Sequence, residues 1–234
     1  IDGDRRITFK DLDIRVNRLA NKFHSMGVGK GDRVVVLQIN CTEHIEIYLA
    51  AAKLGAVYIP LNFRATADEL LYMITDAAPI VIFAGQRYLD LIQSIADQLD
   101  SVEHRVSLEQ HEHDGSWCDY RALLEAGADD ERLPETGGDD LTMIMFTAGT
   151  TGSPKGVMLS HDSFSSYVLN NVDPADPDSI ERNILTVPMY HIAGVQAALA
   201  AIYGGRTLVI QGQFEPQQWM QLVEKERVDR ALMV

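Results

Sequence analysis

Short apolar runs alternate with segments of helical period along nearly the whole chain, and this rhythm restricts the fold more than any other feature. Val34 to Leu37, Ala56 to Ile59 and Ile80 to Phe83 are continuous apolar runs rich in β-branched residues, as buried strands are. Thr8 and Asp11 have capping-box spacing ahead of Leu12, Val16, Leu19, Ala20 and Phe23, and Gly27 supplies a stop. A second helix is expected over 43–54, closed by Gly55. A third, opened by Thr66 and Glu69, runs through Ala77, and a fourth is predicted over 89–99. Such alternation builds βαβ units, so the expected class is α/β: two consecutive layered α/β lobes with mostly parallel sheets covered by helices. Residues 1–105 form the first lobe in this reading. Residues 106–140, rich in His, Asp and Glu, read as an irregular connection with one short helix near 120–126. Residues 141–234 form the second lobe, with strands at 143–146, 184–187 and 207–210 and helices at 163–170, 192–203 and 217–228.

Between the strand ending at Phe146 and the next helical segment lies Phe146-Thr147-Ala148-Gly149-Thr150-Thr151-Gly152-Ser153-Pro154-Lys155-Gly156. Glycines let a backbone approach an anion and aim successive N–H groups at its oxygens, and short hydroxyls add donors without bulk. Lys155 adds a mobile positive charge suited to the β- and γ-phosphates of a nucleotide. A plain glycine-rich turn between two strands is the bland alternative, and it does not require this chemistry at every position. The loop is not a Walker A motif, because Gly149 and Gly152 are three apart and Lys155 is followed by Gly156.

The formal net charge of −14 excludes the clustered basic footprint of a nucleic-acid binder. Cys41 and Cys118 stand far apart without CxxC spacing, which argues against a disulfide framework and makes a reducing cytoplasm the expected setting. No apolar stretch approaches the ~20 residues of a membrane span.

The loop resembles the signature of the adenylate-forming superfamily, which includes acyl- and aryl-CoA synthetases, luciferases and peptide-synthetase adenylation domains. The stretches from Gly27 to Val34, Ala52 to Val57 and Pro60 to Arg64 are similar to that superfamily as well. The resemblance implies a two-step ligase. A carboxylate attacks the α-phosphate of MgATP, giving an acyl-adenylate and pyrophosphate, and coenzyme A then displaces AMP. It implies ATP, Mg2+ and coenzyme A as cofactors and a carboxylic acid, fatty or aryl, as substrate. Thr147, Gly149, Thr150, Thr151, Gly152 and Lys155 would hold the phosphates, with Thr147 the candidate contact to Mg2+. Ala148 departs from the usual Ser and removes one hydroxyl, a hydrogen bond worth about 0.5–1.5 kcal/mol net.

Pro188-Met189-Tyr190-His191 follows a predicted strand, so His191 lies at a strand's carboxyl end, where open α/β sheets bind ligands. A lone histidine there is otherwise more often structural. The resemblance places His191 beside the reacting carboxylate as an orienting, electrostatic group, and Tyr190, His191 and Val195 at the acyl pocket. No carboxylate occurs between Met189 and Gly194. A substrate ammonium buried there would lack a partner, which favours an uncharged acyl or aryl acid over an α-amino acid. The small residues from Ile192 to Ala201 fit an acyl tunnel or close helix packing equally. His111, Glu112, His113 and Asp114 read as a solvated loop in preference to a metal cluster, and His161 as structural, capping a helix with Asp162. The chain starts at Ile1 without a Met and stops within the apolar run from Ala231 to Val234, so both ends read as cut; the superfamily's later motifs are not in this sequence, and the isolated chain is expected to be inactive. An aryl-acid or carrier-protein-loading adenylation enzyme, and a non-catalytic nucleotide-binding scaffold, remain alternatives.

Overall fold

The computed structural model describes residues 1–109, 115–132, 136–147, 154–176 and 178–233. In chain order its elements are α1 (Phe9–Ser25), β1 (Arg33–Leu37), α2 (Thr42–Leu54), β2 (Val57–Pro60), α3 (Ala67–Ala77), β3 (Val81–Ala84), α4 (Leu89–Gln93), β4 (His104–Ser107), β5 (Cys118–Asp119), α5 (Tyr120–Glu125), β6 (Leu141–Thr147), β7 (Lys155–Ser160), α6 (His161–Asn171), β8 (Arg182–Leu185), α7 (Ile192–Tyr203), β9 (Thr207–Ile210), α8 (Pro216–Glu226) and β10 (Arg230–Ala231). Among the described residues the strands form a seven-stranded sheet, ordered β5-β4-β3-β1-β2-β6-β7, and a three-stranded sheet, ordered β10-β8-β9. Among the described residues every strand pairing in the two sheets is parallel except β6 with β7.

The period of two along β1 explains why the large sheet is covered on both faces. Val34 and Val36 point into one apolar cluster with Leu19 and Phe23 of α1 and Ala50 of α2. Val35 and Leu37 point into the other, with Leu70 and Ile74 of α3 and Ile92 of α4. Each such buried aliphatic or aromatic side chain contributes about 1.5–3 kcal/mol of transfer free energy. The local start and stop signals act as expected. Thr8 accepts from the Asp11 N–H and Asp11 reaches back in a capping box, Thr66 does the same with Glu69, and Gly55 ends α2 at φ 68°.

Several expectations are corrected. The helix expected over 89–99 is broken into the five residues of α4 and a single 3-10 turn, Ala96–Gln98. Ser94 Oγ donates to the Leu91 carbonyl, a local competitor of helical hydrogen bonding, although Leu89, Ile92, Ile95 and Leu99 still face the core. The stretch expected to be irregular takes in the end of β4 and all of β5, which pair with β3 and with each other. Residues 155–160 form a strand, β7, where no strand was expected. The sheets also divide the chain elsewhere than at residue 141: β6 and β7 complete the first sheet, and the second begins at Arg182. Ser160, with its side chain accepting from Ser163 N–H, caps α6, so His161 and Asp162 are not the cap. His111, Glu112, His113 and Asp114 lie outside the described residues.

α2 is unusual in burying charge. Glu46 is fully buried and accepts both Nε (2.6 Å) and Nη2 (3.0 Å) of Arg15, while the Tyr120 hydroxyl donates to it at 2.6 Å. His44, also fully buried, donates from Nε2 to the Gln38 carbonyl at 3.0 Å, which leaves Nδ1 to accept from the Tyr58 hydroxyl. Burial lowers the His44 pKa from 6.5 to about 4, against smaller opposing effects of the Gln38 carbonyl and Glu43. The unfolded chain therefore binds this proton first as pH falls. Stability from neutral His44 is intact above pH 6.5 and drains away between there and pH 4, by about 1 kcal/mol per pH unit. His44→Gln should flatten the dependence of unfolding free energy on pH by that slope over this window, measured by urea titration. Parallel curves for variant and parent would refute the assignment.

Candidate active site

Strands that run parallel end on the same edge of their sheet, so β1, β2 and β6 all deliver their following loops to one side. β6 ends at Thr147, where the chain enters the glycine-rich loop, and re-emerges antiparallel at Lys155, its register partner. The Thr147 hydroxyl lies 3.4 Å from the Lys155 carbonyl, to which it donates. Thr147 and Lys155 are both exposed, and Lys155 makes no ion pair among the described residues. Ala148, Gly149, Thr150, Thr151 and Gly152 lie outside the described residues.

The second sheet brings its own carboxyl ends to meet this edge. β8 leads into Thr186–His191 and β9 into Gln211–Phe214. Asn40, three residues past β1 and 3% exposed, joins both loops. Its Nδ2 donates to the carbonyls of Val187 (3.1 Å) and Gln211 (3.3 Å), its Oδ1 accepts from Met189 N–H (2.8 Å), and its own N–H donates to Gly212 O (3.0 Å). Past β2, Asn62 accepts the Arg64 N–H on its side chain and the Ala65 N–H on its carbonyl, a turn that projects Phe63. The Phe63 ring meets Tyr190 edge to face at 5.3 Å, and the Arg64 guanidinium lies 4.9 Å from the Phe63 centroid.

His191 begins α7 as its N-cap. Its N–H donates to Pro188 O at 3.0 Å and its carbonyl accepts from Gly194 N–H at 2.9 Å, so the backbone is pinned. The imidazole is exposed, makes no hydrogen bond among the described residues and stands 5.9 Å from the Tyr190 ring. Gly194 is required by contact: a Cβ there would sit 2.2 Å from the Pro188 carbonyl oxygen. Val195 is fully buried in the core with Leu185 and Met189 and so supports the loop from behind. Close packing accounts for Gly194, Ala198 and Ala201, all buried on α7.

A cavity of about 210 Å³ opens where the two edges meet, lined among others by Phe63, Arg64, Pro188, Gln213, Phe214 and Met233. A larger one, about 440 Å³, lies among α1, α2, α7 and β9 and includes none of the expected site residues. The structure thus groups Thr147 with Lys155, and Tyr190 with His191 and Phe63. No hydrogen bond, ion pair or ring contact among the described residues joins the two groups directly. Asn40 was missed at the sequence level, and Phe63 and Arg64 stood out there only within the Pro60–Arg64 resemblance, with no site role. Their signal was position: polar and aromatic residues just beyond the carboxyl ends of two buried strands.

Fold and site together define an α/β protein of the open parallel-sheet class, with its candidate ligand groups at the carboxyl edges of the strands. The chain belongs to the AMP-binding enzyme family, whose family model matches residues 1–234. It is 33% identical over 228 residues to the long-chain-fatty-acid–CoA ligase FadD13 of Mycobacterium tuberculosis, covering 96% of this chain and 44% of that protein. It is 30% identical to the indoleacetate–CoA ligase of Aromatoleum aromaticum, over 99% of this chain and 45% of that one. The inhibitor-bound N-terminal domain of FACL13 from M. tuberculosis superposes with a TM-score of 0.86 at 32% identity, over 99% of this chain and 57% of that structure. ATP-bound MatB from Rhodopseudomonas palustris gives 0.81 at 30% identity, over 94% and 43%. The chain therefore spans less than half the length of these two ligases. Among the described residues no helix is long and apolar enough to cross a membrane.

Proposed function

We propose that the protein to which this chain belongs is an AMP-forming acid–CoA ligase that activates a fatty or aryl acid carrying no ammonium group. The observation that carries this reading is the meeting of two carboxyl edges, one bearing the Thr147–Lys155 hairpin and the other the Tyr190–His191 loop. In this reading the carboxylate attacks the α-phosphate of ATP, pyrophosphate leaves, and the thiol of coenzyme A then displaces AMP. Lys155 and the loop N–H groups neutralise the charge that builds on the leaving pyrophosphate, where fixed donors act most strongly. Thr147, exposed at the end of β6, is the residue that would hold Mg2+ in this reading, and the ion would supply charge neutralisation at the phosphates.

His191 orients the substrate carboxylate, which has no proton to give up at neutral pH. Phe63, Phe214 and Met233 offer an apolar wall, and the stretch from Met189 to Gly194 holds no carboxylate to receive an ammonium. The two free thiols, Cys41 and Cys118, fit a reducing cytoplasm. The test is AMP release by the full-length protein with ATP, coenzyme A and a panel of fatty, aryl and amino acids. Release dependent on both a fatty or aryl acid and coenzyme A is expected. Release with amino acids alone, or with none of the panel, would overturn the reading.

A further inference from the structure

We infer that Asn40 is a positioning residue for this chemistry: its carboxamide clamps the loops of the second sheet to the carboxyl end of β1. Asn40 thereby sets where Tyr190 and His191 stand relative to the hairpin bearing Thr147 and Lys155.

Three observations carry this. First, the carboxamide is saturated and buried. Both Nδ2 hydrogens and Oδ1 are used, on Val187 O, Gln211 O and Met189 N–H, at 3% exposure. Only a planar group with two donors and an acceptor meets that set; Asp has the shape but would turn negative oxygen toward two carbonyls. Second, the partners are remote in sequence, 147 to 171 residues away, and belong to the loops after both β8 and β9. One side chain therefore ties two loops of one sheet to a strand of the other. The loops approach so closely that a Cβ on Gly212 would sit 2.9 Å from Ile39 Cδ1.

Third, the mechanical path is short on both sides. Met189 N–H, which Asn40 holds, lies two residues before His191. On the other side β1 is bonded to β2 and β2 to β6, the strand that ends at Thr147. A displacement of the clamp moves the aromatic–His loop against the hairpin without disturbing either locally. A misplacement of about 1 Å between reacting groups can cost on the order of 100-fold in rate.

The inference rests on the ligase reading and is tested in the full-length protein with Asn40→Ala and Asn40→Asp. Ile74→Val, a change in the α3 core remote from these loops, serves as a control for general destabilisation. We expect kcat for acid-dependent ATP–pyrophosphate exchange to fall at least tenfold in both Asn40 variants, with KM for ATP within about threefold, while the control retains its kcat. Hydrogen exchange at the Met189 amide should quicken at least tenfold in Asn40→Ala and less in Asn40→Asp, which keeps the acceptor. An unchanged kcat in the Asn40 variants, or a loss matched by the control, overturns the inference. If the parent protein itself shows no acid-dependent exchange, the ligase reading falls. The Met189 amide then decides the clamp alone, and unaltered protection in Asn40→Ala refutes it.

Discussion

Lys155→Met in the full-length protein is expected to lower acid-dependent ATP–pyrophosphate exchange by about 100-fold or more, the scale of removing one preorganised electrostatic contact to a developing anion. The expectation follows from where the lysine stands. It opens β7 opposite Thr147, exposed and without an ion pair among the described residues, so its ammonium is free for a ligand and contributes little to the fold. Stability of the variant should stay within about 0.5 kcal/mol of the parent, as for most surface changes. The loss should fall on kcat, because charge accumulates on pyrophosphate as it leaves. Lys155→Arg keeps the charge with a different reach and should recover only part of the rate. A variant retaining more than a third of parental kcat would remove Lys155 from the phosphate site.

The second large effect concerns the fold. Arg15→Met should destabilise the protein by about 3 kcal/mol at neutral pH, the low end for breaking a buried ion pair, since Arg15 itself is partly exposed. Glu46 would keep only the Tyr120 hydroxyl. Its carboxyl is already held above the usual range by burial, with Arg15 as the main counterweight, and loss of the guanidinium pushes it higher. A carboxyl raised in the folded state favours folding below its unfolded pKa and loses that advantage as pH rises through the folded value. The deficit should therefore be greatest at neutral pH and shrink toward pH 4.5, opposite in sign to the His44 dependence. The double variant Arg15→Met, Glu46→Gln should regain at least half of the loss. A deficit independent of pH, with no rescue, would show that packing of the Arg15 stem and not charge is responsible. For a chain of this size, 3 kcal/mol corresponds to a melting-temperature fall of roughly 6–12 °C.

These two predictions draw on different kinds of information. Lys155 was visible in the sequence, because a glycine-rich loop with that spacing announces its chemistry locally. The Arg15–Glu46–Tyr120 cluster was not. Its members lie on α1, α2 and α5, 31 and 74 residues from Glu46, and nothing local marks a glutamate as buried. Likewise α1, α2, α3 and α7 were legible from caps, glycine stops and apolar period, which are short-range signals. β7 was not, because residues 155–158 are exposed, include Gly156 and have no buried face. Its pairing comes from β6 across the loop.

The sequence by itself therefore determined the α/β class, the order of most elements and the aromatic–His pair at a strand's end, and it set the expectation of a phosphate loop. Each depends on residues within a few positions of one another. Tertiary structure alone decided which sheet owns β6 and β7, that Val195 lies in the core, that Asn40 bonds the loops after β8 and β9, and that Phe63 meets Tyr190. The Asn40 bonds to Val187 and Gln211 join residues 147 and 171 positions apart, and no local propensity encodes them. They exist because parallel strands bring their carboxyl ends to a common edge, and two such edges bury polar groups that must then satisfy one another.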